Sequence, residues 1–146
     1  MPTQQPRPGS FFLLKLGGKE SVGVFKEASG FDSETDVIEH KFVDQTGRVA
    51  IRKVAGNPKW SNITLKRGVD EQKDIWAWRK QVIDKGADAA RVDGTIELCD
   101  IDGGTIATYQ FVQGWPIKYV AATLDASSNN VALEELHICH EGFTRE

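Results

Sequence analysis

Residues 59–82 read KWSNITLKRGVDEQKDIWAWRKQV. The run SNITLKRG (61–68) alternates apolar and polar side chains, the period of a strand with one buried face. That pattern breaks at Arg67-Gly68. Asp70 then offers a carboxylate cap, and Ile75, Trp76, Trp78, Val82 and Ile83 recur on one broad helical arc. Gly86 stands where helices commonly end in a left-handed residue. The stretch predicts a strand, a turn and a helix over 71–85, with both tryptophans in the core. Arg79 falls inside the same apolar arc, so its guanidinium needs an acidic or carbonyl partner or a route to water.

Outward from this junction the chain reads as strands. FFLLKL (11–16), SVGVFKEASG (21–30) and TDVIEHKFV (35–43) precede it, with a tight turn at Gly17-Gly18-Lys19. After the helix come RVDGTIELCD (91–100) and TIATYQFVQGW (105–115), joined by an Asp-Gly turn that signals a hairpin. PIKYVAATL and VALEELHICH complete the set. One helix among about seven or eight strands predicts a mainly β sandwich or barrel with the helix packed across it. The proline-rich residues 1–10 read as a flexible arm, and 11–146 as a single domain.

Residues 44–59, DQTGRVAIRKVAGNPK, carry turn signals at both ends and are expected as an extended loop, with a strand stub at 48–53. Loops of that length tend to be functional. This one sets Arg48, Arg52, Lys53 and Lys59 around Val49, Ile51 and Val54. In the hairpin, Val92, Ile96 and Leu98 share a face, and so do Ala107, Tyr109 and Phe111. Asp93, Thr95, Glu97 and Cys99, with Thr108, Gln110 and Val112, share the other. That polar side is either an ordinary outer surface or the lining of a water-filled lumen.

The search for chemistry excludes several classes. HICH (137–140) places His137 and Cys139 on one face of a strand and His140 on the other, so the three do not converge on one ion. Gly17-Gly18-Lys19 lacks the upstream glycine and the spacing of a phosphate loop, and no Gly-x-Ser-x-Gly occurs. No enzymatic site, metal or cofactor is implied. A formal net charge of -3 gives no basic footprint for nucleic acid. MPTQQPRPGS has no apolar core and does not read as a signal peptide, and FFLL is far too short to span a membrane. Two cysteines, Cys99 and Cys139, read as reduced thiols, so synthesis in the cytoplasm is expected.

Five stretches, in order and with matching spacing, resemble the tail tube protein family of contractile phages and phage-like injection systems. They are GFDSETDVIEHK (30–41), RKVAGNPKWSNITLKRG (52–68), IWAWRKQV (75–82), TYQFVQGWPIKY (108–119) and VALEELHICHEGF (131–143). The resemblance implies a structural protein that forms hexameric rings with a continuous inner β-barrel, the rings stacking into a conduit inside a sheath. It also implies partners: further copies of the chain, a sheath protein, baseplate or tube-initiator proteins, and tape-measure or effector cargo. Neither sequence-specific nucleic-acid binding nor membrane insertion is implied, and the place of action is a virion tail or injection particle.

On this reading Thr95, Glu97, Thr108 and Gln110 line the lumen, joined by Glu27 and Glu39 from earlier strands. The 44–59 loop, through Arg48, Val49, Ile51, Arg52, Lys53 and Lys59, reaches a neighbouring subunit or ring. Trp76, Trp78 and Arg79 brace the outside. The alternatives are a monomeric β-barrel that binds a small ligand and a secreted hexameric tube protein of the type VI kind. Purified protein that shows no rings would favour the ligand binder.

Overall fold

A computed structural model describes residues 10–17, 21–68, 73–121 and 132–146. The expectations for residues 1–9, Gly18-Lys19, Asp70 and the end of PIKYVAATL lie outside the described residues. The elements are β1 (Phe11–Leu16), β2 (Ser21–Phe25), β3 (Glu27–Ser29), β4 (Ser33–Val43), β5 (Val49–Trp60) and β6 (Ile63–Gly68). They continue with α1 (Asp74–Lys85), α2 (Ala87–Ala90), β7 (Val92–Cys99), β8 (Thr105–Val120), β9 (Leu133–Cys139) and β10 (Phe143–Arg145). They form two compact units: residues 32–61, and the rest of the chain.

In the larger unit the strands pair in the order β2-β1-β7-β8-β9-β6-β3, with β10 added beside β8. The expected strand 21–30 is two, because Lys26 is a bend whose amide donates to the Lys66 carbonyl at 2.9 Å. Before the bend the chain pairs with β1, and after it with β6. One bent strand thus joins both ends of the order and closes the sheet on itself, which removes exposed edges.

A second long strand also changes partners along its length. β8 pairs with β7 up to Gly114 and with β9 from Trp115 onward. The two strands expected at 105–115 and 116–124 are therefore continuous through Pro116. The bend lies at Gln113, φ 52°. It packs Phe111 so tightly that a Cβ on Gly94 or Gly114 would stand 2.3 Å from that ring.

Alternation fills the interior with Leu14, Leu16, Phe25, Ile63, Leu65, Ile96, Phe111, Leu136 and Ile138, all buried. α1 lays Ile75 and Trp78 on this core, with Val82 packed beside them. The Trp78 indole N–H donates to the Ala90 carbonyl at 2.9 Å, tying α1 to α2. The helix begins at Asp74 rather than 71, after Lys73, which makes no side-chain cap. Gly86 ends it with φ 90° and ψ 167°, an extended rather than helical left-handed residue.

Trp76 and Ile83 depart from the expected arc, being 44% and 58% exposed. Steps of about 100° per residue explain this: 75, 78, 79 and 82 span the center of the arc, and 76 and 83 lie beyond its rim. Cys99 also departs from the polar side. A register shift between Leu98 and Cys99 turns it inward, and it is buried.

The smaller unit corrects the 44–59 loop. β4 and β5 pair from Ser33↔Trp60 to Val43↔Val49, forming one long two-stranded ribbon. Its turn is tight. The Asp44 carboxylate accepts from the Thr46 and Arg48 amides at 2.9 and 3.0 Å, and Gly47 takes φ 83°. Pro58 and Gly56 read as breakers, but in a two-stranded ribbon each strand has a free side where a missing N–H costs no ladder bond.

Candidate functional site

Four of the six residues expected in a lumen meet on one face. Thr95 stands opposite Gln110 and Glu97 opposite Thr108 across β7 and β8. Lys15 of β1 is opposite Thr95, and its ammonium pairs with Glu97 at 3.2 Å. Thr144 of β10 lies opposite Gln110 on the other side. The result is a hydroxyl and amide surface whose central charges are matched.

Lys15 and Thr144 were missed by the sequence reading. Lys15 is the one polar residue in FFLLKL, so strict alternation could have placed it. Thr144 had no such signal, since β10 is three residues long.

Glu27 and Glu39 stand on other strands. Glu27 is on β3 opposite Lys66, on the other half of the closed sheet. There Lys66 reaches Glu27 at 3.9 Å and Glu135 at 3.4 Å, and His137 bridges Glu135 and the Thr64 hydroxyl at 3.2 Å each. The His137 hydrogen bond, followed by Lys66, lowers the Glu135 pKa. Glu39 is on the ribbon, opposite Lys53.

The ribbon carries the remaining basic and apolar candidates. Register puts Val49, Ile51 and Lys53 on one face with Val43, Lys41, Glu39 and Val37. Arg52 and Val54 share the other with Phe42, His40 and Ile38. Both faces are exposed: Val49 71%, Ile51 56%, Val43 68% and Phe42 47%. Lys59 pairs with Asp36 at 2.9 Å, which raises its pKa, and Arg48 belongs to the turn.

On α1, Trp78 is buried, and Trp76 leans on the Tyr119 ring with centroids 5.3 Å apart. Half-buried Arg79 donates to the Pro116 carbonyl at 3.2 Å.

An internal polar network was also missed. Arg67, 3% exposed, pairs with Glu134 at 2.5 Å and lies over the Phe25 ring at 5.4 Å. The Tyr119 hydroxyl donates to the same carboxylate. Burial, then Glu134, pushes the Tyr119 pKa up to about 12. Parity held the signal: Arg67 continues Ile63 and Leu65, and Glu134 shares the face of Leu136 and Ile138.

Among the described residues no group of three or more His, Cys, Asp or Glu could hold a metal ion, and no helix is long and apolar enough to cross a membrane.

The chain belongs to the T4-like virus tail tube protein gp19 family, whose model matches residues 9–144. No curated protein sequence matches it. Among solved structures it is similar to a chain of the extracellular contractile injection system PVC sheath-tube complex in the extended state. That match is 25% identical over 92% of this chain and 87% of the other, with TM-score 0.75. It is also similar to a chain of the anti-feeding prophage tube-terminating cap, 27% identical over 100% and 94%, with TM-score 0.76. Hcp1 from Flavobacterium johnsoniae shares the fold alone, at 17% identity over 92% and 94% and TM-score 0.54. The role is that of a structural tube component of a phage tail or phage-like injection particle, and not an enzyme.

Proposed function

We propose that the chain is the inner tube subunit of such a particle, closing into hexameric rings that stack inside a sheath on a baseplate. The observation that carries this reading is the ribbon. An isolated two-stranded hairpin is marginal in water, and exposed apolar edges promote aggregation unless covered. Here Val37, Ile38, Phe42, Val43, Val49, Ile51 and Val54 are all at least 40% exposed. Their occupant is a second copy of the chain, as a tube requires of every subunit. Similarity to a chain of a sheath-tube complex supports a sheath around the tube.

On this reading the face of Thr95, Glu97, Thr108 and Gln110 lines the channel, with the Lys15–Glu97 pair neutral at its center. Glu27, on β3, is not among these strands. A neutral hydroxyl and amide lining hydrates well and grips a passing tape-measure or effector polypeptide little. The chain is made in the cytoplasm and acts in the particle.

Negative-stain images and sedimentation of the purified protein test the proposal. Six-fold rings, extending to tubes on a baseplate template, are expected; monomers under every condition would overturn it. Within tubes, a Thr108→Cys thiol should react with small reagents and be shielded from bulky ones. Equal labelling by both places the face outside.

A further inference from the structure

Charge is segregated along the ribbon. Its base, residues 32–36 and 57–61, sets the carboxylates of Asp32, Glu34 and Asp36 against one ammonium, Lys59. Lys59 pairs with Asp36 at 2.9 Å. Residues 37–56 carry Lys41, Arg48, Arg52 and Lys53 against Glu39 and Asp44, and the Asp44 carboxylate is engaged by the amides of the turn. The base is therefore net acidic and the rest net basic. Among the described residues, Asp32, Glu34, Arg52 and Lys53 form no ion pair.

Both poles lie on one face. Glu34 and Asp36 share the parity of Ile38, His40 and Phe42 on β4, and Lys59 stands opposite Glu34 as Arg52 stands opposite His40. From base to tip this face runs acidic, apolar at Ile38 and Val54, basic at Arg52, and apolar again at Phe42. Those three apolar side chains are at least 40% exposed. At the acidic end, Asp32, Glu34, Lys59 and Trp60 line a recess of about 550 Å³. An indole beside carboxylates is chemistry that holds a guanidinium.

We propose, resting on the tube reading above, that ribbons of successive copies dock head to tail. Arg52 of one copy enters the recess of the next and meets Asp32 and Glu34. A second copy is the partner whose face repeats this order of acid, apolar band and cation. Ribbons laid side by side in register would set like charges together, so the offset contact is favoured. The offset also covers Ile38, Val54 and Phe42. An antiparallel pair would match the same charges, but that contact is isologous and closes at two copies. A head-to-tail contact leaves one pole of each end copy open for the next, as a tube needs.

Charge exchange in the full chain tests the contact, with the assembled fraction read by sedimentation and negative-stain images at one protein concentration. Arg52→Glu and Glu34→Arg should each lower it by about thirtyfold, since each sets like charges together in the contact. Both changes in one chain should return it to within about threefold of the parent, because the pair is restored with its signs exchanged. Either single variant assembling like the parent, or no recovery in the double variant, overturns the proposal. A second measurement uses Arg52→Lys, which keeps the charge and supplies an amine. A zero-length carbodiimide should link position 52 to Asp32 or Glu34 of another copy, in a ladder climbing past dimers on a denaturing gel. A ladder that stops at dimers marks the antiparallel contact and overturns head-to-tail docking. Should a charge-exchange variant fail to fold by circular dichroism, the cross-link decides, and assembled protein without it overturns the proposal. A parent that forms no rings fails the tube reading itself, whereas rings without recovery fail this contact alone.

Discussion

The closed sheet and the ribbon obey the same alternation rule and reach opposite outcomes. In the closed sheet, alternate residues of β1, β6, β7 and β9 are buried, and their neighbours are polar and half-exposed. In the ribbon, apolar side chains fall on both faces of β4 and β5, and nearly every residue stays exposed. Eight paired strands can surround a core; two cannot. The difference teaches where the free energy of each region must arise. One region is stabilised within the chain; on the proposed reading, the other gains its burial from another copy of the chain.

The sharpest way to break that comparison is to put repulsive charge into the ribbon. Arg52→Glu with Lys53→Glu, on opposite faces of β5, should lower assembly into tubes by on the order of a hundredfold, as expected for mismatched charges in a desolvated contact. Circular dichroism and melting of the isolated subunit should stay as in the parent. Unchanged tubes would remove the ribbon from the contact, and a collapsed subunit would show that the ribbon belongs to the fold.

The converse change belongs inside the sheet. Glu134→Ala leaves the Arg67 guanidinium buried without its carboxylate and takes away the acceptor of Tyr119. Breaking such a pair from one side costs about 3–5 kcal/mol, so denaturant unfolding should shift by that amount even under conditions where no tubes form. A loss below about 1 kcal/mol would mean that water reaches the pair.

These two regions were not equally legible in the sequence. Alternation marks Ile63 and Leu65 in ITLKRG and Ile96 in TIELC as core-facing, because a slip of one residue would expose the buried set; only the register shift before Cys99 breaks it. The Thr95–Gln110 and Glu97–Thr108 pairs followed from the same parity. The ribbon was hidden because Gly56, Asn57 and Pro58 punctuate a segment with no buried face, where nothing selects for a clean pattern. Lys26 and Gln113, which turn one sheet into a closed one, are ordinary in composition. Their bends arise from pairing with different partners on either side, which is tertiary information.

Alkaline titration sharpens the account of the buried network. The Tyr119 hydroxyl is raised to about 12 in the folded chain against an ordinary 10. The neutral phenol is therefore favoured by folding, and its contribution is complete below the unfolded value. Stability should fall by up to roughly 2 kcal/mol as pH rises from about 10 to about 12, where the unfolded tyrosine alone loses its proton. Tyr119→Phe should unfold without that additional slope. An identical slope in both proteins would assign it to other groups.

The smallest effect is expected at Arg79, on the boundary between a core element and the surface. Its guanidinium lies on the inner arc of α1 with Ile75, Trp78 and Val82, but it is half-buried and has a carbonyl, Pro116 O, as its acceptor at 3.2 Å. One charged donor on one carbonyl is worth about 1–2 kcal/mol when partly screened. Arg79→Ala should cost about that, since the helix gains slightly from alanine while β8 loses its tie at Pro116. Arg79→Lys keeps the charge and the stem and should cost only a few tenths of a kcal/mol, unless the planar fork also stacks on an aromatic ring. Equal melting of parent and alanine variants would reduce Arg79 to a stem covering apolar surface with its head in water.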